Sequence, residues 1–404
     1  MRGRLVLIVM LVGLLMPYAG ATTIAVDISH GEGTTALVSP IVDPTSGEVV
    51  AKGIIPTLSW YRWAYFGYDS ELEDAGALRL GGRITYSSLK DVDVLIIGHL
   101  RKPLSDDEVE AIVRWFSEGG RVLWISGDSD ISGGAYAQDN ANRLLAAIPG
   151  AKLRIDYATA TDTFSNAGKS AYVSGFVRPD LHTPDASMLN EGYLSETGKV
   201  LFHEPGLLAW VDKDGKWHPL IVGEIPDGVY RIVTTSSNGM VEDNYAPEPR
   251  AYQVWEKGLL TLLAVEFVEL PNGAEGLLIV SGESPYGGQV PIWINRYGPY
   301  LFDGQRFVSN LLKWAVKQSY GLKKAETSTS TTVTTSTEKT TSRSTTTITP
   351  TASSIRSTAS TPSQIPEEET TTEAKTGGIS WIYFVAFVLV LSAAVMAFLV
   401  LRRR

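Results

Sequence analysis

The chain has 404 residues, with 44 acidic against 35 basic side chains and no cysteine. The lack of cysteine excludes disulfides, thiolate metal ligands and a cysteine nucleophile. The net charge of −9 and the lack of a basic stripe argue against nucleic acid as a partner.

Residues 1–21 have the pattern of a removable export signal. Arg2 and Arg4 precede a short apolar run, which ends in the A-x-A cleavage pattern Ala19-Gly20-Ala21. That run is shorter than the roughly 20 residues that span a bilayer, so we prefer a signal peptide to an N-terminal anchor.

Residues 22–150 have an alternating strand and helix pattern. A short apolar strand over residues 23–29 is followed by His30 and Glu32, and residues 54–65 predict a helix rich in aromatic side chains. The run VDVLIIG, residues 92–98, is almost continuously apolar and ends at His99. Such runs are typical of parallel strands whose two faces are covered by helices.

The next helix has clear start and stop signals. Ser105 and Glu108 have the spacing of a capping box, and Gly119-Gly120 is typical of a helix end. The strand GGRVLWIS follows and ends at Ser126, with Asp128 and Asp130 directly after it.

Residues 151–257 interrupt the α/β pattern. Their short strand-like runs, separated by Asp-Gly and Pro-rich turns, predict a β-rich insertion. Over residues 258–322 we expect the α/β domain to close, with the strand LLIVS, then Glu283, and a last helix over residues 304–317.

The C-terminal part predicts a different organisation. Residues 323–378 are rich in Ser and Thr and predict a disordered stalk. Residues 379–401 are apolar and long enough for a transmembrane helix, and Arg402 to Arg404 would form the cytoplasmic tail. We therefore expect a single-pass type I protein of the cell membrane whose ectodomain is extracellular.

The segments VDVLIIG, GGRVLWIS and LLIVSGES, with a closing helix, resemble the class I glutamine amidotransferase-like superfamily. More narrowly, they resemble its uncharacterised and non-catalytic branches, found in exported archaeal surface proteins and in intraflagellar transport subunits. This implies a flavodoxin-like α/β fold: a parallel sheet sandwiched by helices, here with a β-rich insertion and one C-terminal transmembrane helix. The family's nucleophilic cysteine falls on Ser126, and no His-x-Glu pair follows, so amidotransferase activity is not implied.

Polar side chains follow four of the predicted strands. In open α/β sheets, ligands bind beyond the carboxyl ends of the strands, so we expect these side chains to converge on one rim. The candidate ligand-binding residues are His30, Glu32, His99, Ser126, Asp128, Asp130 and Glu283.

Three uses of this rim compete. A surface hydrolase would use Ser126 as nucleophile, His99 or His30 as base and Asp128 as orienting group. A metal-dependent site would use Asp128 and Asp130. We prefer non-enzymatic binding of a saccharide, a peptide or a partner surface protein, and we expect no cofactor.

The aromatic residues divide into two groups. We expect the group within residues 60–66 to pack in the core. A second group, in a loop rich in Gly and Pro, is expected to line a surface: Tyr286, Trp293, Tyr297 and Tyr300. For the other three histidines, His182, His203 and His218, we expect structural roles.

Overall fold

The computed structural model describes residues 22–43, 46–131, 135–194 and 197–332. The strands, in chain order, are β1 (Thr23–Asp27), β2 (Ile41–Val42), β3 (Val49–Ala51), β4 (Arg62–Phe66), β5 (Leu78–Gly81), β6 (Val94–Ile97), β7 (Val122–Ser126), β8 (Leu153–Asp162), β9 (Tyr172–Val177), β10 (Lys199–His203), β11 (Gly206–Val211), β12 (Trp217–Pro219), β13 (Val229–Thr234), β14 (Gly239–Glu242), β15 (Lys257–Gly258), β16 (Thr261–Glu269), β17 (Glu275–Ser281), β18 (Arg296–Tyr297) and β19 (Tyr300–Leu301). The α-helices are α1 (Ile54–Thr57), α2 (Ser70–Asp74), α3 (Tyr86–Leu89), α4 (Asp106–Phe116), α5 (Tyr136–Ala147) and α6 (Gly304–Thr332).

A ten-stranded mixed sheet forms the centre, in the order β10-β9-β13-β16-β17-β7-β6-β1-β4-β5. The six strands from β17 to β5 are parallel, whereas β16, β13, β9 and β10 pair antiparallel with their neighbours. The predicted fold, a parallel sheet sandwiched by helices, is therefore wrong. The chain reverses between β16 and β17, and strands from within residues 151–257 extend the sheet beyond that hairpin.

A second sheet of five antiparallel strands, β12-β11-β8-β14-β15, packs beside the first. Its strand β11 contacts β16 and β17. The apolar faces of β16 and β17 are thus buried partly by another sheet, which explains why their sequences look like those of helix-covered parallel strands. A run of buried apolar residues indicates that both faces are covered, but not by what.

The predicted helix over residues 54–65 is also wrong. Only α1 is helical, and β4 follows it as a strand parallel to β1. Trp63 and Tyr65 pack in one hydrophobic core, and Ala64 and Phe66 pack in the core on the opposite face of the sheet. This alternation is that of a strand, and aromatic side chains favour strands.

The capping box of α4 is present as predicted. The Ser105 hydroxyl accepts from the amide of Glu108 at 3.4 Å, and Glu108 Oε2 accepts from the amide of Ser105 at 2.9 Å. The buried side of the helix carries Ile112, Trp115 and Phe116. Because α4 lies between β6 and β7, this cap fixes the start of the crossover beside the strand ends.

The predicted signal peptide (residues 1–21), transmembrane helix (379–401) and cytoplasmic tail (402–404) lie outside the described residues. Helix α6 continues to Thr332, into the segment predicted as a disordered stalk. Of the helices that are described, none has both the length and the apolar character required to cross a membrane. The prediction of a single-pass transmembrane protein is accordingly not upheld by the structure.

Candidate functional site

The four strands whose ends carry the candidate residues lie side by side, in the order β17-β7-β6-β1. They are parallel, and their register places Ser281 beside Ser126, Ile125 beside Ile97, and Ile97 beside Asp27. The four strand ends therefore meet at one edge of the sheet, as expected. The side chains that follow them form two separate buried clusters.

The first cluster joins the ends of β6, β7 and β17. His99 lies between two carboxylates: its Nε2 is 3.0 Å from Glu283 Oε1, and its Nδ1 is 3.8 Å from Asp128 Oδ2. Both contacts are ion pairs, and the one to Glu283 lacks hydrogen-bond geometry. All three side chains are buried.

The charge of this cluster depends on the protonation of the His99 imidazole. Burial alone would disfavour the charged form of His99, but the charges of Asp128 and Glu283 outweigh it and raise the pKa of His99 to about 9. Burial raises the pKa of Glu283, and the His99 charge opposes that rise. Near neutral pH the cluster thus holds an imidazolium between two acidic groups.

The cluster forms the floor of an open cleft of about 370 Å³. Residues from the antiparallel half of the molecule complete its walls: Tyr172 in β9, and His203 and Glu204 at the end of β10. The rings of Tyr172 and His203 stack with centroids 4.4 Å apart. Arg101 and Gln289 add exposed polar groups at the rim.

Glu204 has an unusual backbone conformation. Its φ of +52° lies in the left-handed region, which is unfavourable for a residue with a side chain. Non-glycine residues in this region persist only where the surrounding packing holds them, and they are frequent at functional sites. Here the strain turns the chain at the cleft wall, between β10 and β11.

The second cluster lies at the end of β1 and contains Asp27, His30, Glu32 and Glu108. His30 Nδ1 is 2.6 Å from Asp27 Oδ2, and its Nε2 is 3.4 Å from Glu108 Oε2. Glu32 Oε2 accepts from the amide of His30 at 3.0 Å. Ligand atoms of Asp27, His30 and Glu32 all lie within 4.8 Å of one another, and all three residues are buried.

The pKa shifts in this cluster follow from crowding of carboxylates. Burial, followed by the charge of Asp27, raises the pKa of Glu32 well above its usual range. Burial of His30 favours its neutral form, but Asp27 and Glu108 outweigh this and raise its pKa. Burial alone would raise the pKa of Glu108, but hydrogen bonds from Ser105 and from the amide of Ile84, together with the charge of His30, outweigh burial. The pKa of Glu108 is therefore lowered.

Ser126, the position of the superfamily's nucleophile, is fully buried. Its Oγ accepts from the Oγ of Ser281 at 3.3 Å, and Ser281 Oγ in turn accepts from the indole Nε1 of Trp124 at 2.8 Å. No hydrogen bond joins Ser126 to a histidine within the described part of the chain. The geometry therefore gives the hydrolase interpretation no support.

The two aspartates proposed as metal ligands are separated by their partners. Asp130 is fully buried and accepts from the backbone amides of Asn244 and Tyr245 and from the hydroxyl of Thr159. Asp128 accepts from the amide of Ser129 and faces His99. Asp130 thus holds a loop of the second sheet, while Asp128 belongs to the cleft.

The aromatic predictions hold in part. Trp63, Tyr65 and Phe66 are buried as expected, whereas Trp60 is exposed. Tyr286 and Trp293 were expected at a surface but are 1% and 0% exposed. The Tyr286 hydroxyl donates to the carbonyl of Asp27 at 2.6 Å and thereby ties its loop to the end of β1.

The histidines outside the rim differ in role. His218 has the structural role expected of it: its Nε2 lies 2.8 Å from Asp212 Oδ2, and its ring stacks on Trp210. His203, for which a structural role was also expected, instead lines the cleft.

Several residues of the two clusters and of the cleft wall were not predicted from the sequence. Asp27 is the last residue of a short apolar strand, and Glu108 is explained as a capping residue by its spacing alone. His203 and Glu204 directly follow the strand-like run at residues 199–202, so their position at a strand end was the available signal. Tyr172 offered none, because only tertiary packing brings β9 to the cleft.

No protein-family model matches this sequence, and no curated protein matches it. Among solved structures, the chain is similar to one described as the mmIFT52 N-terminal domain. The identity is 12% and the TM-score 0.43, over 73% of this chain and 97% of that one. This weak similarity is one of fold at most.

Proposed function

We propose that the cleft above His99, Asp128 and Glu283 reversibly binds a small polar ligand and that the protein is not an enzyme. The observation that supports this most is the cleft itself, about 370 Å³ in volume and open to solvent at its rim. Ligand sites of small molecules have volumes of this order and a few convergent polar groups.

The groups that line the cleft favour a ligand that both donates and accepts hydrogen bonds. Asp128, Glu204 and Glu283 offer acceptors, whereas Arg101 and the charged form of His99 offer donors. The stacked rings of Tyr172 and His203 add an apolar edge. A saccharide combines hydroxyl groups with apolar ring faces, so it is the ligand class that fits this lining best.

The rival function is hydrolysis with Ser126 as nucleophile. It requires Ser126, a histidine base and an orienting acid in hydrogen-bonded series. Ser126 is buried and lies beside Ser281, while the acids near His99 hold its imidazole as an ion pair. These contacts favour binding over catalysis.

The proposal is tested by screening the full chain against an array of immobilised saccharides, with a peptide array in parallel. For the tightest saccharide, we expect Glu204→Gln to weaken binding at least about fivefold, since the substitution replaces a carboxylate at the cleft wall by an amide. Glu110→Gln, an equally small change on the exposed side of α4, is the matched control and leaves affinity unchanged.

Two outcomes would count against the proposal. One is a failure of the wild-type chain to bind any saccharide on the array. The other is turnover of an ester, amide or glycoside substrate that Ser126→Ala abolishes, which would establish the hydrolase instead.

Two further proposals concern the location of the protein and the role of its fold. The export-signal pattern of residues 1–21 favours a role outside the cell, which cell fractionation with an antibody to the domain tests directly. The resemblance of VDVLIIG and GGRVLWIS to non-catalytic amidotransferase-like domains agrees with a binding role.

A further inference from the structure

The cluster at the end of β1 has the composition and spacing of a metal site. The turn that follows β1 brings His30 and Glu32 back onto the carboxylate of Asp27, so that ligand atoms of the three residues lie within 4.8 Å of one another. All three side chains are buried, which distinguishes them from the acidic groups common on protein surfaces.

One oxygen of the cluster has no partner. Glu32 is only 2% exposed, and its Oε1 atom is buried without a hydrogen bond, although its Oε2 accepts from the amide of His30. A buried carboxylate oxygen that lacks a partner is unfavourable, and most such atoms in proteins are satisfied. The buried Glu32 Oε1 atom therefore indicates that a bound group would interact with it.

The charge of the cluster also favours a bound cation. Three acidic side chains, Asp27, Glu32 and Glu108, surround one imidazole. Throughout the described residues, His30 is the only cationic side chain that forms an ion pair with any of them. A bound cation would balance this excess of acidic over basic side chains.

We propose that Asp27, His30 and Glu32 bind one divalent metal ion, through a carboxylate oxygen of each acid and a ring nitrogen of the histidine. Glu108 contacts the other ring nitrogen and acts as a positioning residue that orients the imidazole, an arrangement common around metal-bound histidines. Two carboxylates with one imidazole suit Mn²⁺ or Zn²⁺ better than Ca²⁺, which prefers oxygen ligands alone.

A route to the site exists from the surface. A groove of about 430 Å³ is lined by Ser29, His30 and Glu108 on its inner side and by Arg83 and Lys102 on its outer side. The groove reaches His30 and its positioning carboxylate Glu108, so one side of the cluster adjoins the surface. This site is separate from the cleft above His99, and either proposal can fail without the other.

The experiment is a calorimetric titration of MnCl₂, and separately of ZnCl₂, into the full chain after treatment with a chelator and without an affinity tag. We expect one equivalent to bind, with a Kd below about 100 µM. Glu32→Gln keeps the shape of the side chain and weakens binding at least about tenfold, as does His30→Gln. Glu283→Gln alters a buried carboxylate of the neighbouring cluster and serves as the matched control.

Melting temperatures with and without metal provide a second readout for any variant of low stability. Bound metal raises the melting temperature of the wild-type chain and of Glu283→Gln, but not that of Glu32→Gln. Wild-type protein that binds neither ion, or Glu32→Gln that binds as tightly as wild type, would overturn the proposal. Metal binding lost in Glu283→Gln but kept in Glu32→Gln would place the ion in the other cluster and overturn it equally.

Discussion

The Nε2 atom of His99 lies 3.0 Å from the Oε1 atom of Glu283, although a large part of the domain separates the two residues in sequence. Both side chains are 5% exposed. The contact joins the ends of β6 and β17 across the intervening β7, so the charge state of His99 bears on the stability of the whole strand-end edge.

Stability should therefore depend on pH through His99. Its pKa is raised from 6.5 to about 9 in the folded chain, so the stabilisation is complete below pH 6.5 and is lost as pH rises through 9. The acids that face it are Asp128 and Glu283, and Arg101 acts in the opposite direction. We expect the free energy of unfolding to fall by up to about 3 kcal/mol across that range, measured by urea denaturation.

The variant His99→Gln should be less stable at pH 6.5 and should lose less stability than wild type from there to pH 9.5, because only His30, whose pKa is also raised, still contributes. His182→Gln, which removes an exposed histidine, is the control and keeps the wild-type profile. A wild-type profile that stays flat between these pH values would contradict the assigned charge of His99.

Ser126 and Ser281 should differ in their contributions to stability. Ser281→Ala leaves the buried indole N–H of Trp124 without its acceptor and should cost about 1–3 kcal/mol. Ser126→Ala removes only the weaker contact between the two hydroxyls and should cost less than about 1 kcal/mol. Denaturation followed by tryptophan fluorescence measures both, and equal losses would count against the described network.

Asp130 should be structural. Removing its carboxylate in Asp130→Ala frees the amides of Asn244 and Tyr245, so we expect a loss of about 1–3 kcal/mol and faster hydrogen exchange at those two amides. Asp243→Asn is the comparison: burial and the charge of Asp130 raise the pKa of Asp243, so neutralising it should not destabilise the chain. A stable Asp130→Ala chain that had lost metal affinity would restore Asp130 as a ligand.

Close packing between the two sheets should be sensitive at Gly282. A Cβ atom there would lie 2.0 Å from the carbonyl oxygen of Gly206, at the start of β11. Gly282→Ala should therefore destabilise the chain by at least about 1–3 kcal/mol and weaken ligand binding in the adjacent cleft. Gly258→Ala, where an added Cβ meets nothing within 4 Å, is the matched control for melting temperature.

The sequence allowed the strand ends to be predicted because VDVLIIG, VLWIS and LLIVS are apolar runs with polar residues at one end. It did not indicate the direction of β16, since burial on both faces leaves the same pattern in parallel and antiparallel strands. The strand β4 was mistaken for a helix because its aromatic residues fit either element over so short a window.

The site was predictable where it depends on strand order and not where it depends on long-range packing. His30, Glu32, His99, Asp128 and Glu283 all lie at the shared edge. The wall formed by Tyr172 and His203 comes from strands whose position no local pattern determines. Asp130 looked like part of the site, but its carboxylate bonds a loop more than 100 residues away in sequence.

The measurement that tests the central claim most directly is the affinity of the tightest array saccharide for Glu283→Gln and for Glu32→Gln, by calorimetry at pH 7. If the cleft above His99 is the binding site, Glu283→Gln binds at least about tenfold more weakly than wild type and Glu32→Gln binds equally well. Equal affinity in all three proteins would contradict the account.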